Sequence, residues 1–103
     1  MASLSTHILD TSRGRPAAGV RVALEARDGS PLAEATTDDD GRVAALGSEL
    51  EPGDYVLRFA TGGYLGADAF YPEVVVTFAV GADEHYHVPL LLNPYGYSTY
   101  RGS

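Results

Sequence analysis

The chain reads as an all-β protein, an antiparallel sandwich of seven or eight short strands. Three observations predict this. Apolar and polar residues alternate with period two in most segments, as half-buried strands require. Turn residues, drawn from 12 glycines and 6 prolines in 103 residues, interrupt those segments, at a spacing of about 8–12 residues. No window of about a dozen residues carries the 3.6-residue apolar stripe of an amphipathic helix.

The elements follow in order. Leu4 to Leu9 sets Leu4, Thr6 and Ile8 on one face and Ser5, His7 and Leu9 on the other. The stretch Asp10 to Pro16 is turn-rich. Beyond it, Val20, Val22, Leu24 and Ala26 face one way while Arg21, Glu25 and Arg27 face the other, the clearest strand in the chain. Asp28-Gly29 has the chemistry of a tight turn and predicts Leu32 to Thr37 as the returning arm of a hairpin. A second turn, Asp38-Asp39-Asp40-Gly41, leads into a strand over Arg42 to Leu46. Pro52-Gly53 marks a third, ahead of Tyr55 to Ala60, where Tyr55, Leu57 and Phe59 share a face.

Thr61 to Phe70 breaks the alternation with Gly62, Gly63 and Gly66 and has room for one turn of helix. Val74 to Val80 is rich in β-branched residues, as strands are. His85 to Leu92 and Tyr95 to Arg101 are two further strands, separated by Asn93-Pro94. With no internal repeat and no linker, residues 1–103 are expected to form a single domain.

Charge excludes several function classes. Seven arginines and no lysine stand against 14 carboxylates, a net charge of −7. That balance argues against sequence-independent nucleic-acid binding, which rests on neutralising phosphates, and against an anionic membrane surface. The absence of cysteine removes disulfides, thiol nucleophiles and thiolate-bound zinc. No segment approaches the ~20 apolar residues of a membrane span. No basic stretch followed by an apolar run opens the chain, so the expected location is cytoplasmic.

The side chains left for chemistry are few. His7 lies opposite Leu4 and Ile8 and therefore points away from the core. His85 and His87, two apart in an extended run, share a face opposite Tyr86, Val88 and Leu90. Such a pair can bind a metal when a third ligand joins it, but no acidic partner stands at a telling distance, and no metal or other cofactor is expected. Solvated strand histidines are the plain alternative. Arg42 follows the Asp-Asp-Asp-Gly turn, where arginine is commonly a paired surface charge. Its planar fork also suits it to polarising a carbonyl or holding an oxyanion. Chain termini usually end in small, frayed polar residues, yet here a strand-like, tyrosine-rich run, Tyr95 to Tyr100, precedes only Arg101-Gly102-Ser103.

Three stretches carry a family resemblance: Ser5-Thr6-His7-Ile8-Leu9-Asp10-Thr11 followed by Gly14, Pro16 and Ala17; Asp40-Gly41-Arg42; and Tyr86-His87-Val88-Pro89-Leu90-Leu91-Leu92 leading into Tyr97-Ser98-Thr99-Tyr100-Arg101-Gly102-Ser103. In these the chain resembles the 5-hydroxyisourate hydrolases, the transthyretin-related enzymes of urate degradation. The closing Tyr-Arg-Gly-Ser is the most specific signal, since it separates the enzymes from the hormone carrier transthyretin. Weaker matches at Gly53-Asp54-Tyr55 and Phe70-Tyr71-Pro72-Glu73-Val74 extend the likeness over nearly the whole chain. Two departures stand out: a shortened Thr61 to Phe70 segment, and Asn93 where the family generally has serine.

The resemblance implies a transthyretin-like sandwich with one short helical turn. It implies an active site of His7, Arg42, His87 and Ser103, with Tyr100 near the substrate. It further implies a homotetramer, a dimer of dimers, with its sites in a channel at the dimer–dimer interface. The implied reaction is opening of the 5-hydroxyisourate ring by water, giving 2-oxo-4-hydroxy-4-carboxy-5-ureidoimidazoline. One of His7 and His87 would take the proton of water and the other would position it or donate to the ring. Two rival readings come with it. One is a transthyretin-like carrier of a small ligand, which should lack His7, His87 and the Tyr-Arg-Gly-Ser end. The other, suggested by Gly14 to Val22, is a carboxypeptidase-regulatory-like sandwich module, which usually sits inside a longer chain.

Overall fold

A computed structural model describes residues 2–102, Ala2 to Gly102. Nine strands form among them: β1 (Ala2–Asp10), β2 (Arg15–Pro16), β3 (Arg21–Ala26), β4 (Pro31–Thr36), β5 (Arg42–Leu50), β6 (Gly53–Phe59), β7 (Val74–Val80), β8 (His85–Asn93) and β9 (Gly96–Thr99). A single helical turn, α1 (Thr61–Leu65), runs on into a 3-10 turn over Gly66–Asp68 between β6 and β7. No helix among the described residues is long and apolar enough to cross a membrane.

The strands make two sheets. One has the order β4-β3-β6-β7, antiparallel throughout. In the other, β8 lies between β1 and β9, while β5 and then β2 share the far edge of β1. The predicted hairpin of β3 and β4 is present, its turn closed by Gly29 N–H donating to Ala26 O at 2.9 Å.

The core is what the alternation predicts. Leu4, Ile8, Val88, Leu90 and Leu92 point inward from one sheet and meet Val22, Leu24, Leu57, Phe59 and Val74 from the other. Burying each of these large side chains is worth about 1.5–3 kcal/mol. Thr6 lies on the same inward face and is buried, and its hydroxyl is satisfied by donating to Val88 O at 2.6 Å.

Two features depart from the plainest antiparallel scheme. The pair β1–β8 is parallel, aligned from Ser3 opposite His85 to Asp10 opposite Leu92. A parallel pair needs a long crossover, and here the whole second sheet is laid down between the two strands. The fifth strand also runs on to Leu50 rather than ending at Leu46. Register shifts between β5 and β1 leave Ala44 and Ala45 both exposed in succession, so the period-two signal is interrupted at a bulge although the strand continues.

A buried carboxylate ties α1 to the first sheet. Asp10, at the end of β1, accepts the N–H and O–H of Ser12 at 3.0 and 2.6 Å, the Arg13 N–H at 3.1 Å and the Tyr64 O–H at 2.7 Å. Burial alone would push this carboxyl up. The hydrogen bonds from Ser12, Tyr64 and the Arg13 backbone outweigh it and hold Asp10 below the ordinary carboxylate range.

Candidate active site

Odd-numbered residues of β1 and β8 turn outward together, because the parallel register places Ser3 beside His85 and Ser5 beside His87. On the other edge of β1, His7 is aligned with Arg42 of β5. Three strands therefore bring His7, Arg42, His85 and His87 onto one outer face of the first sheet. A cleft of about 300 Å³ opens there, lined by Ser5, Thr6, Arg42, Val43, Ala44, His85 and His87. A larger concavity of about 780 Å³, between Leu24, Leu32, Leu46 and Tyr55, holds no histidine and no arginine. Size does not locate the chemistry here.

The acidic turn builds one side of the site. Asp38 accepts the backbone N–H groups of Asp40 and Arg42 on its Oδ1 at 2.9 and 3.0 Å. Gly41 takes φ +73°, and a Cβ there would stand 2.4 Å from Ile8 O, so only glycine fits. The tight turn carries Asp40 O to within 2.9 Å of His7 Nε2. A carbonyl can only accept, so Nε2 of His7 bears a proton and donates it to Asp40 O. The Arg42 side chain is exposed, and among the described residues it has no hydrogen bond or ion pair from its guanidinium.

His87 is half-buried, and its Nδ1 lies 2.7 Å from Ser5 Oγ. Its pKa is pushed below the ordinary histidine value of 6.5, first by burial, then by the charges of His7, Arg42 and His85, with a hydrogen bond to the Ser5 backbone opposing. The neutral form is therefore favoured near neutral pH, as a general base requires.

The C-terminal residues close over this histidine. Strand β9 ends at Thr99, whose hydroxyl donates to Pro89 O at 2.7 Å. The chain then stays on β8: Gly102 N–H donates to His87 O at 2.8 Å, and the Arg101 guanidinium pairs with Glu84 and lies 4.5 Å over the Tyr86 ring. A Cβ on Gly102 would come within 2.6 Å of His87 Cδ2. The glycine of the Tyr-Arg-Gly-Ser end is thus a packing requirement of the histidine ring. Ser103, expected in the site, lies outside the described residues.

Tyr100 stands apart from the other expected site residues within one chain. It is exposed and lines a separate cavity of about 230 Å³ with Val76, Phe78, Tyr86 and Val88. Two residues escaped the sequence reading. Ser5 and Ser3 contact the histidines directly, with Ser5 Oγ 2.7 Å from His85 Nε2 and Ser3 Oγ 2.7 Å from His85 Nδ1. The signal was present as Ser-x-Ser-x-His in one strand and His-x-His in the other, but it becomes legible only once the two strands are known to be parallel neighbours.

Fold and site together define a class: a two-sheet β-sandwich whose outer face is equipped for acid–base chemistry on a small polar molecule. The sequence is more specific. Residues 4–102 match the HIUase/Transthyretin family, and the chain belongs to it. It is 50% identical over 115 residues to the 5-hydroxyisourate hydrolase of Caulobacter vibrioides, a match covering 100% of both chains. Its fold superposes on Klebsiella pneumoniae 5-hydroxyisourate hydrolase with a TM-score of 0.91 at 41% identity, covering 98% of this chain and 99% of that one. Sea bream transthyretin, solved with thyroxine, gives a TM-score of 0.87 at 30% identity over 96% and 93% of the two chains.

Proposed function

We propose that residues 1–103 form a single hydrolase domain that opens the ring of 5-hydroxyisourate, a purine-derived substrate, to give 2-oxo-4-hydroxy-4-carboxy-5-ureidoimidazoline. The observation that carries this reading is the half-buried His87, its pKa depressed beside His7 and an Arg42 with no ion pair among the described residues, in a chain 50% identical to a hydrolase named for that reaction.

His87 is the general base. With its Nδ1–H donating to Ser5 Oγ, Nε2 keeps its lone pair and accepts a proton from water as the oxygen adds to a ring carbonyl. His7, whose Nε2 proton is committed to Asp40 O, offers Nδ1 to hold that water or a ring N–H. Arg42 directs its fork at the carbonyl oxygen as negative charge develops there. Collapse of the tetrahedral adduct breaks the ring C–N bond, and the proton held by His87 goes to the departing nitrogen. Ser103 is the fourth residue assigned to the site, on the family resemblance of the Tyr-Arg-Gly-Ser end. Tyr100 contributes to substrate binding from across the channel of a homotetramer, a dimer of dimers, since within one chain it lines a different cavity. The same reading places the enzyme in the cytoplasm.

The test is the ultraviolet absorbance of 5-hydroxyisourate, generated in place from urate by urate oxidase. The protein is expected to accelerate the decay above the unaided blank. Decay at the blank rate from folded protein would reject the hydrolase and favour the carrier, which calorimetry with purine analogues would then examine. Sedimentation of the free protein tests the tetramer.

A further inference from the structure

One row of side chains beside the proposed site is more ordered than solvated residues need to be. Ser3, His85, Ser5 and His87 form a continuous line across the β1–β8 ladder, with three successive contacts of 2.7 Å: Ser3 Oγ to His85 Nδ1, His85 Nε2 to Ser5 Oγ, and Ser5 Oγ to His87 Nδ1. The line runs from the half-buried His87 to the exposed His85.

Hydrogen-bond counting makes the line directional. A serine hydroxyl has one proton, so Ser5 donates to one histidine and must accept from the other. If it donates to His87 Nδ1, the free Nε2 of His87 carries the proton and is no base. If it donates to His85 Nε2, then His87 Nδ1–H donates to Ser5 and His87 Nε2 keeps its lone pair. The second arrangement also requires Nδ1–H on neutral His85, which Ser3 Oγ accepts. One hydroxyl therefore sets the tautomers of both imidazoles together.

We infer that Ser5 and His85 are positioning residues that hold His87 in its Nδ1–H tautomer and draw charge away from it during turnover. The inference rests on His87 serving as the base in the reaction proposed above. When His87 Nε2 takes a proton from water, the ring becomes an imidazolium. Its Nδ1 proton then moves to Ser5 Oγ as the Ser5 proton moves to His85 Nε2. Two protons shift by one bond each, no proton is lost, and the single positive charge passes from His87 to His85. The charge thereby leaves a half-buried ring that faces His7 on β1 and Arg42 on β5 and reaches an exposed one. The reverse shift returns the proton to His87 for the departing nitrogen.

Nitrogen-15 NMR of the histidine rings, on the full chain without substrate at a pH where His87 is neutral, reads the tautomer directly. The wild type is expected to show His87 protonated on Nδ1, and Ser5→Ala to shift it toward the Nε2–H form that free imidazole side chains favour. A wild-type His87 already protonated on Nε2 would overturn the inference, whatever the protein hydrolyses. Kinetics supply the second arm. Ser5→Ala should lower kcat about tenfold with KM little changed, and Ser5→Thr, which keeps the hydroxyl, should restore most of it. His85→Gln accepts the Ser5 hydrogen bond without taking up charge. It should keep the His87 tautomer yet lower kcat and reduce a multi-proton solvent isotope inventory to a single-proton one. Wild-type kcat in both Ser5→Ala and His85→Gln would contradict the relay. Absence of hydrolysis by the wild type would fall on the proposed function alone, because the tautomer is measured independently.

Discussion

The sandwich has two polar outer faces, and they are built differently. On the β4-β3-β6-β7 sheet, the Arg58 guanidinium donates to Glu25 at 3.0 Å and to Glu73 at 3.1 Å, and Arg21 pairs with Glu34. Each arginine in this row has its counter-charge beside it. On the β1–β8 face, His7, His85, His87 and Arg42 stand together, and none of them has a carboxylate partner among the described residues. Paired charges on an exposed strand face keep a sheet soluble and contribute little else. Imidazoles gathered around an arginine without counter-charge lower the proton affinity of His87 and leave donors and acceptors free for a ligand. The contrast separates a surface from a site more clearly than either face does alone.

Removing one cation from each face should break that symmetry most visibly. Arg42→Ala is expected to lower turnover by about 10²-fold or more, the scale of a lost oxyanion donor. Arg58→Ala should leave turnover unchanged and alter stability by less than about 1 kcal/mol, since the pair is largely solvent-screened. Steady-state kinetics and denaturant unfolding of the two variants check both halves.

The docked end of the chain offers the next largest effect. Gly102→Ala would place a methyl group 2.6 Å from His87 Cδ2, too close for the ring to stay where it is. Displacing a catalytic ring by a fraction of an ångström should cost about tenfold or more in kcat. Gly81→Ala meets nothing within 4 Å and is the matched control.

A stability effect without a chemical one should come from Asp10, which is buried at the end of β1 and hydrogen-bonded to Ser12, Arg13 and Tyr64 rather than to a site residue. Asp10→Ala removes the buried acceptor shared by the exposed Ser12 and Arg13 donors and the half-buried Tyr64 hydroxyl and should cost about 1–2 kcal/mol in chemical denaturation, with the folded fraction still active. The sign with pH follows from its depressed pKa. The stabilisation is present above the ordinary carboxyl value of 3.8 and is lost as pH falls through the lower folded value, so the variant should differ from wild type least in strong acid.

The smallest effect is a displacement along the pH axis. Because the pKa of His87 in the folded protein lies below 6.5, neutral base persists below that pH. The acid limb of kcat/KM should therefore have its midpoint under 6.5. A limb centred above that value would mean that a different group serves as base.

Much of this was legible in the residues themselves. Alternation located the strands, because a half-buried sheet writes its period into every second residue. It also turned His7, His85 and His87 away from the core, which the burial of Thr6, Ile8, Tyr86 and Val88 bears out. The bulge at Ala44-Ala45 hid the second half of β5, since two successive exposed residues interrupt the period without ending the strand. Strand partnership was invisible for a different reason. No local pattern says that residues 3–10 lie parallel to residues 85–92, and without that register Ser5 is simply another polar strand residue. The site was thus readable as a set of side chains, while its wiring depended on a long-range pairing that only the folded chain provides.

The central claim is that the face of His7, His85, His87 and Arg42, which has no carboxylate partner among the described residues, performs the chemistry through His87. Its most direct test is the decay of 5-hydroxyisourate absorbance with wild type, with His87→Gln and with no protein, recorded side by side. The account predicts clear acceleration by the wild type and, for a folded His87→Gln, a rate at least about 10²-fold lower. A folded His87→Gln that hydrolyses the substrate as fast as wild type would contradict it.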